Sequence, residues 1–596
     1  MFRYRMSTMS PIAVQQTLEL ALQYHQAGRL AEAEALYRQV LAAQPNHADA
    51  LHYLGVIANQ AGRHELAVEW IRRAIALQPN DPAAHNNLGN AHRDRGQFSE
   101  AVAAYRRALQ LKPDLTEAQS NLGNALRDRG QLDEAIAAYR RAVELKPDHA
   151  EAYNNLGLAL ARQGHFDEAV AAHRRAIDLK PTDATFLSNL IHALHFGPVC
   201  DPRSIREEQT RWNRLHVEPL RPSWRPHGND RDPLRRLRIG YVSPDFFSHP
   251  VPIFLAPLLK AHDHRRYEIY CYASVRRPDT VTEHLRKAVD VWRNTYVFSD
   301  AQLAECIRND KIDILVDLAM HTAGHLLQVF ARKPAPVQVS WLAYPGSTGM
   351  ETIDYRLTDA HIDPAGPEDD DLGGQPVRLP DSWCCYAPIG TPPSVGPLPA
   401  GQNGTVTFGS LNQFAKIHEG LLHCWARLLG AVSGSRLLML CPEGQARERT
   451  HAFFAAHGVA RERVELVGTC LWPEYIRHFA RIDIALDSFP CNGMTTTCHA
   501  LWMGVPVVTR TGTTSVSRAA SSLLHTVGLP EWIAQSEEDY IRIATEWAHD
   551  LPRLAELRAT LRPRMQASPL MDAPRFARNI ETIYRTIWQR WCAREP

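Results

Sequence analysis

The 596-residue chain lacks any run approaching the ~20 apolar residues that a membrane-spanning helix needs. Its opening segment, Met1 to Pro11, lacks the apolar stretch of a secretory signal. Both absences make a cytoplasmic location, with no membrane partner, the expectation. Cysteine is sparse and scattered: eleven residues without a C-x-x-C pair, Cys384 and Cys385 being merely adjacent. That pattern excludes a disulfide framework and suits reduced thiols. Net charge is only +1, so no basic face argues for nucleic acid or an anionic surface as partner. Two familiar phosphate loops, G-x-G-x-x-G and the Walker sequence, are absent. Metal-binding patterns fail as well. His321 and His325 have helical ligand spacing, but Gly324 and the missing acidic partner argue against zinc. Glu368 to Asp371 is a charge run between Pro and Gly residues, read as solvated. No metal is expected.

What the chain does have is a period of 34. Pro45, Pro79, Pro113, Pro147 and Pro181 are each 34 residues apart. Gly28, Gly62, Gly96, Gly130 and Gly164 keep the same step, as do Ala33, Ala67, Ala101, Ala135 and Ala169. A third column is Gly55, Gly89, Gly123 and Gly157. Small residues at helix crossings, with Pro closing the second helix, make the tetratricopeptide pattern. Roughly five repeats and a partial sixth predict an α-solenoid over residues 12–198, its first helices lining a concave groove. Asn87, Asn121, Asn155 and Asn189 also fall 34 apart. Their amides suit clamping an acceptor peptide backbone, or tying neighbouring helices to one another. Tyr24, Leu36 and Tyr37 of the first repeat are candidates for packing against another copy, which makes an oligomer possible, or for capping the solenoid.

The period ends near Pro198. Residues 199–234 read as a connecting helix and a polar linker. From Leu237 short apolar runs alternate with helical patterns, the grammar of parallel sheets with crossover helices. Strands are predicted at Leu237–Ser243, Glu268–Ser274, Ile312–Asp317, Val337–Trp341 and Tyr355–Thr358, within a domain at 235–390. A Pro/Gly-rich linker, 391–404, precedes a second α/β domain at 405–596. Its strands are expected at Val406–Leu411, Leu437–Cys441, Val464–Val467, Ile482–Asp487 and Val505–Thr509, followed by helices. Two consecutive Rossmann-like domains place a ligand cleft between them.

Three loops at predicted strand ends carry candidate chemistry. After Asp487, a turn with Asn492, Gly493 and Met494 leads into Thr495-Thr496-Thr497, a helix start whose free amides attract phosphate. Threonines at such a position also serve as plain caps. In the loop after Val406–Leu411, Gln413 offers a bidentate amide and Lys416 a point charge for a diphosphate, or a solvated surface charge. After the first strand of the front domain, His249 is the best-placed general base, or a structural histidine.

These residues stand in GYVSPDFFSHP (240–250), KPAPVQ (333–338), WLAYPGSTG (341–349), LNQFAKI (411–417) and LDSFPCNGMTTT (486–497). Together with the repeats, they make the chain resemble protein O-linked N-acetylglucosamine transferases, as a bacterial homologue. The resemblance implies the glycosyltransferase B fold and metal-independent, inverting transfer from UDP-GlcNAc to Ser/Thr hydroxyls of acceptor proteins. It makes His249 the active-site histidine and assigns uridine and diphosphate contacts to Gln413 and Lys416. Thr495 and Thr496 would grip the β-phosphate, and Tyr344, Pro345 and Gly346 would lie beside the donor sugar. The asparagine column would be the family's ladder for acceptor peptides. Met494 and His499 stand where animal enzymes carry His and Asp. Plant protein O-fucosyltransferases share several of these motifs, so GDP-fucose is the alternative donor. A catalytically dead repeat scaffold is the second alternative.

Overall fold

The computed structural model describes residues 10–198, 200–366, 373–388, 390 and 393–594; the acidic run at 368–371 lies outside them. By its internal packing the chain divides into two units between Ala159 and Leu160. The first unit is a stack of helix pairs: Pro11–Gln26 with Leu30–Ala43, Ala48–Gln60 with His64–Leu77, Pro82–Asp94 with Phe98–Leu111, and Thr116–Asp128 with Leu132–Leu145. Helix Ala150–Arg162 follows.

The sequence columns have separate structural causes. Gly28, Gly62, Gly96 and Gly130 adopt φ of 74–80°, the left-handed turn that closes each first helix. Gly89 and Gly123 sit where a Cβ would stand 2.5 and 2.6 Å from the rings of Tyr105 and Tyr139. Those tyrosines are fully buried, and each hydroxyl donates to an asparagine of its own repeat, Asn90 at 2.7 Å and Asn124 at 2.8 Å. Ala33, Ala67, Ala101 and Ala135 are fully buried at the helix crossings. Tyr37, a candidate for packing against another copy, is instead fully buried in its own unit, stacked on Tyr53 with ring centroids 5.6 Å apart.

The second unit opens with two helices of repeat character, Phe166–Leu179 and Ala184–Leu194, and the connecting helix Pro202–His216. Two wholly parallel sheets follow. The front lobe holds β1 (Leu237–Ser243), β2 (Tyr267–Ala273), β3 (Val291–Asn294), β4 (Ile314–Asp317), β5 (Val337–Ser340), β6 (Tyr355–Asp359) and β7 (Gln375–Leu379) in the order β3-β2-β1-β4-β5-β6-β7. The rear lobe holds β8 (Thr407–Ser410), β9 (Arg436–Leu440), β10 (Val464–Val467), β11 (Ile484–Leu486), β12 (Val507–Arg510) and β13 (Ile533–Ala534) in the order β10-β9-β8-β11-β12-β13.

The two orders are the same doubly wound pattern. In each, the strand order reverses between the first and fourth strands, β1/β4 and β8/β11, and crossover loops diverge there to leave a crevice. Central strands are covered on both faces, which is why they read as continuous apolar runs; in β1 only Arg238 is not buried.

The tail differs from the expectation that all its helices close the rear domain. Helix Ala573–Cys592 packs on the front lobe. Tyr584 and Tyr241 hydroxyls lie 3.2 Å apart, and Glu581 takes the Asp263 N–H at 2.8 Å and pairs with His262 at 2.9 Å. Its apolar stripe of Phe576, Ile580, Tyr584, Ile587 and Trp588 is buried.

Candidate active site

The rear crevice is built by the loops after β8 and β11. Asp487, just past β11, is buried and organises both. Its carboxylate accepts from the Gly493 N–H (2.7 Å), the Thr509 hydroxyl (2.7 Å) and the Asn412 amide (3.3 Å). Burial pushes its pKa up to about 6, against those donors and the nearby Lys416 charge. Gly493 is required by closeness: a Cβ there would stand 2.3 Å from Asn412 Oδ1.

The loop then enters helix Thr495–Trp502, with Met494 as an N-cap that makes no side-chain bond. The first amide to find an intrahelical carbonyl is that of Cys498, at 3.1 Å from Met494 O. The amides of Thr495, Thr496 and Thr497 are therefore left to whatever lies beyond the helix start. The Thr497 hydroxyl is spent on Gly493 O at 2.6 Å, whereas Thr495 and Thr496 are half-buried.

Lys416 ends the short turn Phe414–Lys416 and reaches across, its Nζ donating to Asn492 O at 2.7 Å. The structure thus brings a cation to the turn preceding a helix N-terminus. Gln413, three residues before it, is exposed.

Two residues expected at the donor have polar atoms engaged within the protein. The Asn492 amide donates to Ser488 O (3.0 Å) and Arg510 O (3.4 Å), so its N–H groups hold the loop together instead of facing a ligand. His499 is 3% exposed and hydrogen-bonded to the Tyr386 hydroxyl at 3.0 Å, with the Trp472 ring 4.6 Å away. Burial in this aromatic box pushes it down to about 3 and keeps it neutral. One helical turn beyond Thr495, its side chain is sealed in and offers no surface.

The site has a contribution that sequence reading missed. At the end of helix Ala184–Leu194, the Phe196 ring lies 5.9 Å from Lys416 Nζ, with His192 at 4.7 Å from Phe196. Burial and the Lys416 charge push His192 down to about 4. His195 lies 4.9 Å from Tyr344 of the loop after β5, where Pro345 and Gly346 join Tyr344 in lining a small cavity with Met320 and Trp383. The period of 34 gave no hint of these residues, although His-Ala-Leu-His-Phe (192–196) departs visibly from the repeat pattern.

In the front lobe, His249 caps helix Pro250–Ala261. Its Nδ1 accepts from the Val251 N–H at 3.4 Å, and desolvation pushes the ring down to about 4. With Nδ1 accepting, the neutral ring carries its proton on Nε2. Asp245 Oδ2 lies 3.9 Å from Nδ1.

His321 has both ring nitrogens engaged, at 2.9 Å from the Ser188 hydroxyl and 2.9 Å from Thr348 O. Among the described residues, the one grouping with metal-ligating atoms within 4.8 Å of one another is Cys470, just before helix Trp472–His478, with Glu474 and His478 of that helix.

In the solenoid, the Asn87 amide contacts His52 Nε2 at 2.8 Å, and the Asn121 amide donates to Asn86 at 3.1 Å, each a residue of the preceding repeat. Asn155 accepts from Arg127 at 3.5 Å. All three remain half-buried. Asn189 breaks the row. It is 8% exposed in a helix packed against helices Phe166–Leu179 and Pro202–His216, so it lines no open groove.

Residues 214–370 and 398–580 match the model of Glycosyl transferase family 41, and the chain belongs to that family. Tetratricopeptide models match within 18–183. The solved structure of a mutant O-GlcNAc transferase from Thermobaculum terrenum superimposes with a TM-score of 0.81 at 36% identity, over 86% of this chain and 98% of that one. Two parallel-sheet lobes behind helical repeats are thus the glycosyltransferase B arrangement of that enzyme. A Petunia hybrida protein named probable UDP-N-acetylglucosamine–peptide N-acetylglucosaminyltransferase SPINDLY is 41% identical over 389 residues, 64% of this chain and 41% of the relative. The Arabidopsis thaliana relative SEC, of the same named activity, is 30% identical over 381 residues, 60% of this chain and 38% of its own. The chain spans about two fifths of the length of the curated relatives it matches.

Proposed function

We propose that this protein transfers N-acetylglucosamine from UDP-GlcNAc to Ser or Thr hydroxyls of acceptor proteins, the repeats contributing acceptor binding. The observation that carries the reading is the Lys416 ammonium anchored 2.7 Å from Asn492 O, at the turn that starts helix Thr495–Trp502. A pyrophosphate there would meet a cation, the free amides of Thr495 to Thr497 and the positive end of the helix dipole, the arrangement that stabilises a departing diphosphate. Exposed Gln413 would read the uracil edge. Tyr344, Pro345 and Gly346 would face the sugar, and the half-buried Asn87, Asn121 and Asn155 would offer their remaining polar atoms to an acceptor peptide.

The acceptor oxygen attacks the anomeric carbon from the face opposite the phosphate, and the carbon–phosphate-oxygen bond breaks with inversion. His249 takes the role of a hydrogen-bond donor through Nε2–H toward the donor sugar or its phosphate. Donation is the chemistry its tautomer allows.

The test is a panel of nucleotide sugars with an acceptor peptide. UDP should raise the melting temperature and UDP-GlcNAc should support transfer. Stabilisation by GDP and transfer from GDP-fucose would replace the donor assignment, and no response to any nucleotide would remove the reading altogether. In the same assay Lys416→Ala should lower kcat about 10²–10³-fold, as loss of one preorganised charge-stabilising donor does. Near-normal turnover would discard the pyrophosphate assignment.

A further inference from the structure

Among the described residues seven acidic side chains are buried, and six of them are capped by hydrogen-bond donors. Asp313 holds Arg235 and the Arg238 N–H; Asp317 takes the Ala319 and Met320 amides; Asp359 takes three amides and the Ser522 hydroxyl. Asp483 takes the Ala400 and Thr407 amides, Asp487 is described above, and Glu581 takes the Asp263 amide. Asp245 is the exception. It is 8% exposed, and among the described residues no donor reaches its carboxylate within hydrogen-bonding distance. Its own N–H goes to the Ser243 hydroxyl at 3.0 Å, which fixes the loop but leaves both carboxylate oxygens uncapped.

A buried carboxylate without donors is costly, and a fold that caps every other one has not capped this one. Its position gives a reason. Asp245 lies two residues beyond β1, in the crevice where the strand order reverses, on the loop that ends at His249. The groups facing it are carboxylate and imidazole: Asp317 at the end of β4, and His249 with Nδ1 at 3.9 Å. His249 Nδ1 is already an acceptor, so that ring is poorly placed to remove a proton.

Resting on the transferase reading above, we infer that Asp245 is the base that receives the acceptor hydroxyl's proton. As the hydroxyl oxygen bonds to the anomeric carbon, the sugar–phosphate bond breaks and its electron pair leaves with UDP. The O–H proton passes to an Asp245 oxygen and is later lost to solvent. Charges balance without any further reactant. Burial and the Asp317 charge hold this carboxyl up at about 7, close to the operating pH of an effective base.

The experiment compares the full-length protein with Asp245→Asn and Asp245→Glu, measuring kcat and KM for UDP-GlcNAc and peptide from pH 5.5 to 8.5. Wild-type kcat should rise with pH through a midpoint near 7. Asp245→Asn should lower kcat about 10²-fold or more, leave UDP affinity within about twofold, and lose that rise. Asp245→Glu should recover part of the rate with a displaced midpoint. Melting temperature at pH 8 should not fall in the Asn variant, because a neutral amide replaces an uncapped buried charge; a lowered one would mean the carboxylate is structural and overturn the inference. An Asn variant within tenfold of wild type, or one keeping the same pH limb, also overturns it. If the Asn variant does not fold, an unmoved midpoint in Asp245→Glu overturns the inference and a displaced one supports it. Wild-type protein that binds and uses the donor while Asp245→Asn works normally defeats only this inference. Wild-type protein that binds no nucleotide defeats the transferase reading itself.

Discussion

A methyl group on Gly493 would stand 2.3 Å from Asn412 Oδ1 and 3.0 Å from Asp487 Oδ1, and both neighbours are held by other bonds. Gly493→Ala must therefore displace the turn carrying the Asn492 carbonyl and the helix start. Overpacking of this kind costs about 1–3 kcal/mol. UDP affinity should fall at least tenfold by calorimetry, with a lower melting temperature; unchanged affinity would separate this turn from the nucleotide. Single residues were unevenly legible in the sequence. Lys416 and Thr495 stood out because each follows an apolar run that had to be a strand, and strand ends in such sheets face the ligand. Asn492 and His499 looked equally placed, but helix phase and loop closure turned their polar atoms inward. Asp245 was visible as an aspartate, yet nothing in the order of residues reports that no amide points at it. That depends on the paths of three separate loops.

At the scale of elements, the solenoid columns convert into energies. Gly89→Ala drives a methyl into the Tyr105 ring at 2.5 Å. It should destabilise the repeats by about 1–3 kcal/mol in urea unfolding, whereas Gly430→Ala, with open space around it, should not. Equal effects at the two positions would contradict this account of the 34-residue step. Periodicity made the helix pairs and both sheets readable, since central parallel strands are apolar on both faces. The edge strands β3 and β7 and the two-residue β13 escaped notice for the complementary reason. β3 contains no buried residue and β7 only two, Pro376 and Leu379, that are not adjacent, so neither presents a run. The last repeat-like helix, Ala184–Leu194, and the residues just after it also meet the front lobe, Ser188 at His321 and His192 and His195 at Tyr344, which the 34-residue step does not report.

For the molecule as a whole, acid sensitivity follows from burial. His195, His321 and His499 are each held near 3 by desolvation, and His173, His192, His249 and His325 near 4. Released on unfolding, a histidine regains a value of about 6.5. Below that pH the unfolded chain binds protons that the folded chain refuses, so stability falls as pH drops from about 6.5 toward 4. Asp245, Asp317 and Asp487, raised to about 7, 6 and 6, act in the opposite sense but are outnumbered. Denaturant midpoints should therefore fall steadily between pH 6.5 and 4.5, with net proton uptake on unfolding. A flat or rising profile would show the rings to be hydrated.

The helix Ala573–Cys592 carries an implication for how the protein is made. Residues 237–379 build the front sheet, but the buried Tyr241–His262 pair, 2.9 Å apart, meets its further partners Tyr584 and Glu581 only on that last helix. Emerging from the ribosome, that sheet must wait for more than two hundred further residues to be synthesised before its apolar flank is covered. Nascent chains interrupted before residue 573 would display that flank, and cellular quality control would find them as sticky, unfinished products.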